Sequence, residues 1–187
     1  MPKFERFQGN AEKQYIADDY YNATIVDFKD ITDRVARFAD YAFEIIMNAE
    51  KVPFELKTSV LIKFDRESDG ALDPNKNSWR HQFNNLLDTL NYDGGFDRYG
   101  TFRDETGEEI AREDILIELT KHLQATIKDG EYPFIIYVAK DAKGYKNPLK
   151  RIYRQKDKAE LESFVAYYND KAKDTPSKPQ SSGAPRL

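Results

Sequence analysis

Tyr132 to Arg154, YPFIIYVAKDAKGYKNPLKRIYR, is the stretch on which the reading of this chain turns. It reads as a strand, a Gly-containing turn region and a returning strand. It also gathers positive charge. From Lys140 to Lys156 seven basic residues (Lys140, Lys143, Lys146, Lys150, Arg151, Arg154 and Lys156) face one acid, Asp141. The whole chain carries −4, so everything outside this ribbon sums to −10. Separation of charge on that scale points to a partner with fixed negative charge, of which a phosphate backbone is the commonest.

Working outward from the ribbon, 187 residues with 40% hydrophobic and 33% charged side chains predict one globular domain with a real core. With no cysteine there is no disulfide framework and no thiolate metal site, which fits a reducing, cytoplasmic setting. No run approaches the ~18 apolar residues of a membrane span, and the N-terminal MPKFERFQGN lacks the apolar segment of a secretory signal, so neither membrane insertion nor secretion is expected.

Residues 1–20 read as an irregular lead-in, 21–169 as the folded domain and 170–187 as a disordered tail rich in Pro, Ser and Lys. Within the domain, Asn22 to Lys29 is a β-branched strand. Arg37 to Asn48 alternates with period two, and Glu55 to Asp65 sets Leu56, Thr58, Val60, Ile62 and Phe64 against Lys57, Ser59, Leu61 and Lys63. A loop dense in Asp, Gly, Pro and Asn precedes a helix from Ser78 to Leu90, and a second helix covers 112–127. The ribbon supplies strands four and five. Leu161, Phe164, Val165 and Tyr168 then predict a closing helix over Lys158 to Asn169. Residues 92–105 read as a turn-rich loop or a short hairpin. The chain order is that of an OB-fold: a β-rich α+β domain whose five-stranded, partly open barrel has a helical insertion between strands three and four and a C-terminal helix.

Single-strand binders need cations for phosphates and rings for splayed bases. The ribbon interleaves Tyr137, Tyr145 and Tyr153 with its lysines and arginines, and Lys57 and Lys63 extend a basic track onto strand three. The expected nucleic-acid contacts are therefore Lys57, Lys63, Lys140, Lys143, Tyr145, Lys146, Lys150, Arg151, Tyr153 and Arg154, with the segment Asp141 to Pro148 as a closing arm. The plain alternative is an edge hairpin whose lysines prevent edge-to-edge pairing. That purpose needs two or three lysines, and this segment has more.

Other constellations carry less. Asp65, Glu67, Asp69, Gly70 and Asp73 match an EF-hand loop until the twelfth position, where a bidentate acid is required and Lys76 stands. His81 and His122 lie on separate helices without zinc-ligand spacing. No Gly-rich phosphate loop, GxSxG elbow or HExxH is present. Neither metal nor cofactor is expected, and the chain is read as non-catalytic.

With this strand order and the ribbon returning from its Gly-containing arm, the stretch from about Tyr20 to Gln155 resembles the bacteriophage single-stranded DNA-binding proteins of OB-fold type. The resemblance implies coating of unpaired DNA during replication or recombination in the host cytoplasm, often as a homo-oligomer, with a C-terminal tail that recruits replication or recombination proteins. The tail departs from that pattern: it ends SSGAPRL with Arg186, where the family commonly ends acidic and hydrophobic. Two other classes stand beside this reading. One is a protein-interaction module, such as a phage inhibitor of a host enzyme, working through the acidic body. The other is a metal-dependent nuclease drawing on the carboxylates Asp93, Asp97, Asp104, Glu105, Glu108 and Glu109.

Overall fold

The structure, a computed structural model, describes residues 16–140 and 146–174. Its frame is an antiparallel sheet that curls on itself. β1 (Asp19–Asp30), β2 (Tyr41–Ala49) and β3 (Leu56–Ile62) form a meander, and β1 also pairs with β6 (Phe134–Lys140), which pairs with β7 (Lys146–Pro148). The order β3-β2-β1-β6-β7 brings β3 alongside β7, so five strands nearly close into an OB-fold-like barrel. Two short strands, β4 (Gly95–Phe96) and β5 (Phe102–Arg103), make a separate hairpin, and β8 (Tyr153–Arg154) rejoins β6 after a break.

The closure begins in β1. Its first half, Asp19 to Ala23, pairs with β6, while Ala23 to Asp30 pairs with β2. Val26 is skipped in the register between Ile25 and Asp27, a bulge that bends and twists a strand too long to stay flat. Ala23, Ile25 and Phe28 point into the barrel beside Phe43, Ile45 and Met47 of β2 and Leu56, Val60 and Ile62 of β3. The alternation expected of β3 is seen residue for residue: Leu56, Thr58, Val60 and Ile62 are buried, Lys57 and Leu61 exposed. β2 differs from a half-buried strand. Ala42 and Ile46 on its outer side are buried too, and Ala42 packs with Ile31 and Ala39 beside the one-turn helix α1 (Thr32–Val35). Arg37 and Phe38, expected in this strand, instead form a turn anchored by the Phe38 N–H on the Val35 carbonyl at 2.7 Å.

Helix α2 (Trp79–Leu90) packs against β3 and β8 at the side of the barrel where β3 and β7 approach without pairing. Its polar residues Gln82, Asn85 and Thr89 recur at helical spacing and reach both rims. Gln82 Nε2 donates to the Ser59 carbonyl of β3 at 3.0 Å, Asn85 Oδ1 accepts from the Ile152 N–H at 3.0 Å, and Thr89 Oγ1 donates to the Ile152 carbonyl at 2.6 Å. Unpaired strand-edge groups are thus satisfied by one helix face, which closes the barrel without a fully hydrogen-bonded seam. The other face of α2 buries Trp79, Phe83, Leu86 and Leu90, and helix α3 (Ile115–Thr126) adds Ile115, Leu119 and Leu123. Phe43, Phe64, Trp79, Phe83, Phe96 and Phe102 meet mainly edge to face, with centroids 5.2–6.3 Å apart.

Of the two readings of segment 92–105, turn-rich loop or short hairpin, the structure shows the hairpin, packed on this ring cluster. Asn91 adopts the left-handed conformation (φ 59°) that ends α2, and a Cβ at Gly94 would run into the Tyr92 ring and the Arg103 carbonyl. The acidic loop of 65–77 is organised by one buried amide. Asn77, 2% exposed, donates to the Asp65 and Asp73 carbonyls and accepts from Trp79 Nε1 at 2.9 Å.

Helix α4 (Lys158–Asp174) covers the outside of the barrel at β6. β6 is buried on both faces: Phe134, Ile136 and Val138 look inward, while Ile135 and Ala139 meet Leu161 and Val165 of α4. The helix runs five residues past the expected Asn169, to Asp174; residues 175–187 lie outside the described part. Likewise β1 begins at Asp19, inside the expected lead-in, of which residues 1–15 also lie outside. Among the described residues no helix is long and apolar enough to cross a membrane.

Candidate nucleic-acid interface

The ribbon is a single returning strand interrupted once. β7 pairs Val138 with Pro148 and Lys140 with Lys146; the chain then bows outward at Lys150 and Arg151 before β8 pairs Phe134 with Arg154 and Ile135 with Tyr153. Part of the expected closing arm is therefore strand: Lys146, Asn147 and Pro148 are held in the sheet. Lys143 and Tyr145 lie outside the described residues, as does the side chain of Lys146.

The bow decides which ribbon residues face solvent. Lys140 and Lys150 are exposed, and Lys57 and Lys63 are exposed on β3 and just past its end. No ion pair involves these four among the described residues. Arg151 is half-buried. Its guanidinium lies 4.4 Å from the Phe164 ring centroid and Nη1 donates to the Tyr153 hydroxyl at 3.4 Å, which fixes the charge on a rigid support.

Tyr153 and Arg154, expected to contact nucleic acid, both have structural contacts. Tyr153 is 7% exposed and packed with Leu149, Leu161 and Val165 beneath α4, so its ring has no free face for a base. Arg154 Nε donates to the Thr89 carbonyl at 2.8 Å, where a cation suits the negative end of α2. Tyr137 is half-buried against Tyr20, with centroids 4.8 Å apart.

The missing rings come from α4. Leu161, Val165 and Tyr168 face the barrel, and the adjacent stripe Glu160, Phe164 and Tyr167 looks out beside the bow. Phe164 forms a ridge between two clefts. On one side a groove of ≈ 240 Å³ is lined by Ala139, Pro148, Leu149, Lys150 and Tyr168; on the other a cleft of ≈ 400 Å³ is lined by Arg151, Tyr153, Glu160, Ser163 and Tyr167. Tyr167 is 56% exposed with Lys171 Nζ 4.9 Å from its centroid. Sequence reasoning took α4 as a closing helix and missed this face. The available signal was Tyr167: an aromatic directly beside, and not on, the apolar stripe.

Several of the remaining carboxylates are occupied. In the 65–77 loop Asp69 Oδ1 accepts from the Ala71 N–H and Asp73 Oδ1 from the Asn75 N–H, both at 2.9 Å, and Asp73 also meets Lys76 at 3.7 Å. These are turn contacts. The hairpin acids Asp93, Asp97, Asp104 and Glu105 rim a cleft of ≈ 560 Å³. Burial pushes the Asp97 carboxyl up, but the N–H groups of Thr101 and Tyr99 and the Arg103 guanidinium outweigh it and hold it below its ordinary value of 3.8. His122 Nε2 bonds the Leu90 carbonyl at 2.9 Å with Tyr92 across its ring, and His81 is exposed on α2. Among the described residues no group of three His, Asp or Glu is arranged to hold a metal ion.

The fold and this face define an OB-fold-like barrel with a cation-and-ring surface built from its returning strand and its last helix. Comparison of the chain with family models, with curated proteins and with solved structures returned no match in any of the three.

Proposed function

We propose that this chain binds single-stranded DNA without strong dependence on sequence, as a non-catalytic coating protein in phage replication or recombination, in the host cytoplasm and without a cofactor. The observation that carries the reading is the convergence of Lys150 and Arg151 with Phe164 and Tyr167 on one outer face, with Tyr168 lining the adjoining groove. Phosphates are held by the cations while successive bases lie on rings, and neither interaction reads base identity strongly. Duplex DNA presents no free base faces, so the rings favour unpaired strands.

Fluorescence anisotropy with a labelled oligo-dT, titrated at about 50 and 200 mM salt, tests the reading. Tight binding at the lower concentration that weakens steeply at the higher supports it; absence of binding at the lower concentration defeats it. The acidic hairpin cleft favours a second reading, a protein-interaction module whose partner is basic. Under that reading oligo-dT does not bind, and charge reversal at Asp93 and Glu105 abolishes partner capture while substitutions at the ribbon do not.

A further inference from the structure

The cleft between the bow and α4 contains more than charge and rings. Arg151, Tyr153, Glu160, Ser163, Phe164 and Tyr167 line ≈ 400 Å³, room for one nucleobase. A carboxylate is out of place in a plain phosphate-binding groove, because it repels the backbone that the neighbouring cations attract. Glu160 and Arg151 share the cleft without forming an ion pair, Glu160 is exposed, and Arg151 is held in place by Phe164 and Tyr153. The ring of Tyr167 supplies a wall.

We propose that this cleft accepts one base of the bound strand and prefers guanine, a proposal that rests on the single-strand reading above. The donor and acceptor pattern selects the base. Guanine alone offers two adjacent donors, N1–H and the N2 amino group, to a carboxylate, and two adjacent acceptors, O6 and N7, to a guanidinium. Adenine meets each partner through a single bond, cytosine can face the guanidinium with N3 and O2 but gives the carboxylate only its amino group, and thymine gives the carboxylate only its N3–H. Stacking on Tyr167 adds affinity common to all four bases. The cleft therefore reads one position in a strand otherwise bound without regard to sequence.

The test compares labelled dT oligonucleotides of equal length carrying one central dG, dA or dC. A single dG tightens binding roughly tenfold over plain oligo-dT, within the range of one good bidentate base contact. Glu160→Gln abolishes that gain and raises affinity for plain oligo-dT, since a negative charge is lost. Tyr167→Ala weakens all four oligonucleotides by a similar factor. Equal binding of all four by the parent chain overturns the guanine preference and leaves the single-strand reading standing. A dG gain that survives in Glu160→Gln overturns the role of this cleft. Failure of every oligonucleotide to bind at low salt overturns both.

Discussion

Neutralising the bow, Lys150→Gln with Arg151→Gln, separates a phosphate-binding face from a merely solvated hairpin. Each phosphate contact made to a single strand contributes about 0.7 to the slope of log affinity against log salt, so two lost contacts flatten that slope by about 1.4. Between about 50 and 200 mM salt, a fourfold change, the parent should lose roughly sevenfold more affinity than the variant. That ratio does not depend on how many other cations take part. The fold should barely notice. Lys150 is exposed, and Arg151 gives up a stacking contact with Phe164 and one 3.4 Å hydrogen bond, together on the order of 1 kcal/mol or a few degrees in Tm. Anisotropy titrations of both proteins against oligo-dT across the salt range, with melting curves alongside, read both quantities. Parallel slopes in parent and variant would refute the placement of DNA on this face, whatever the absolute affinities.

Three further outcomes follow from the fold. Asn77→Ala removes three hydrogen bonds from a buried site, but the Trp79 indole N–H keeps the Lys63 carbonyl and the Asp65 and Asp73 carbonyls keep the N–H groups of Asp73 and Lys76, so the melt should drop by only a few degrees, about 1 kcal/mol, while oligonucleotide binding persists. Thr89→Val keeps the shape of α2 but removes its bond to the Ile152 carbonyl, and amide exchange at Ile152 and Tyr153 should speed up as the seam loosens; unchanged exchange there would mean α2 is not what holds the rim. Asp97, held below 3.8 in the folded state, binds its proton less readily than the unfolded chain does. Its stabilisation is therefore complete above about pH 4 and is lost as pH falls through the lower folded value. In Asp97→Asn the decline of Tm between about pH 5 and pH 2 should be shallower than in the parent, and an identical decline would remove Asp97 as its cause.

Much of the barrel was legible because alternation is a local property. Leu56 to Ile62 announces its inner and outer residues by period two alone, and the stripe on Trp79, Phe83, Leu86 and Leu90 does the same for a helix. Outer burial of Ala42 was not legible, since it depends on α1 packing across the strand, and the hairpin at 95–103 exists only because the ring cluster holds it. The candidate face divides in the same way. The excess of lysine and arginine in the ribbon can be counted, but counting cannot distinguish Lys150, which faces solvent, from Arg154, which is spent on the Thr89 carbonyl.

The sequence by itself determined the excess of positive charge in the ribbon, the five-strand order and the residues of the barrel interior, because charge and hydrophobic period are carried by the chain whatever it packs against. The tertiary structure alone decided which rings stand open beside the cations of the ribbon. Tyr153 stands one residue before Arg154 yet is sealed under α4, while Phe164 and Tyr167, ten or more residues downstream, come to lie beside Arg151. A helix folded back over β6 makes neighbours of residues distant in the chain and hides ones that are close. Which aromatic ring is free to meet a base is a property of that packing and of no segment taken alone.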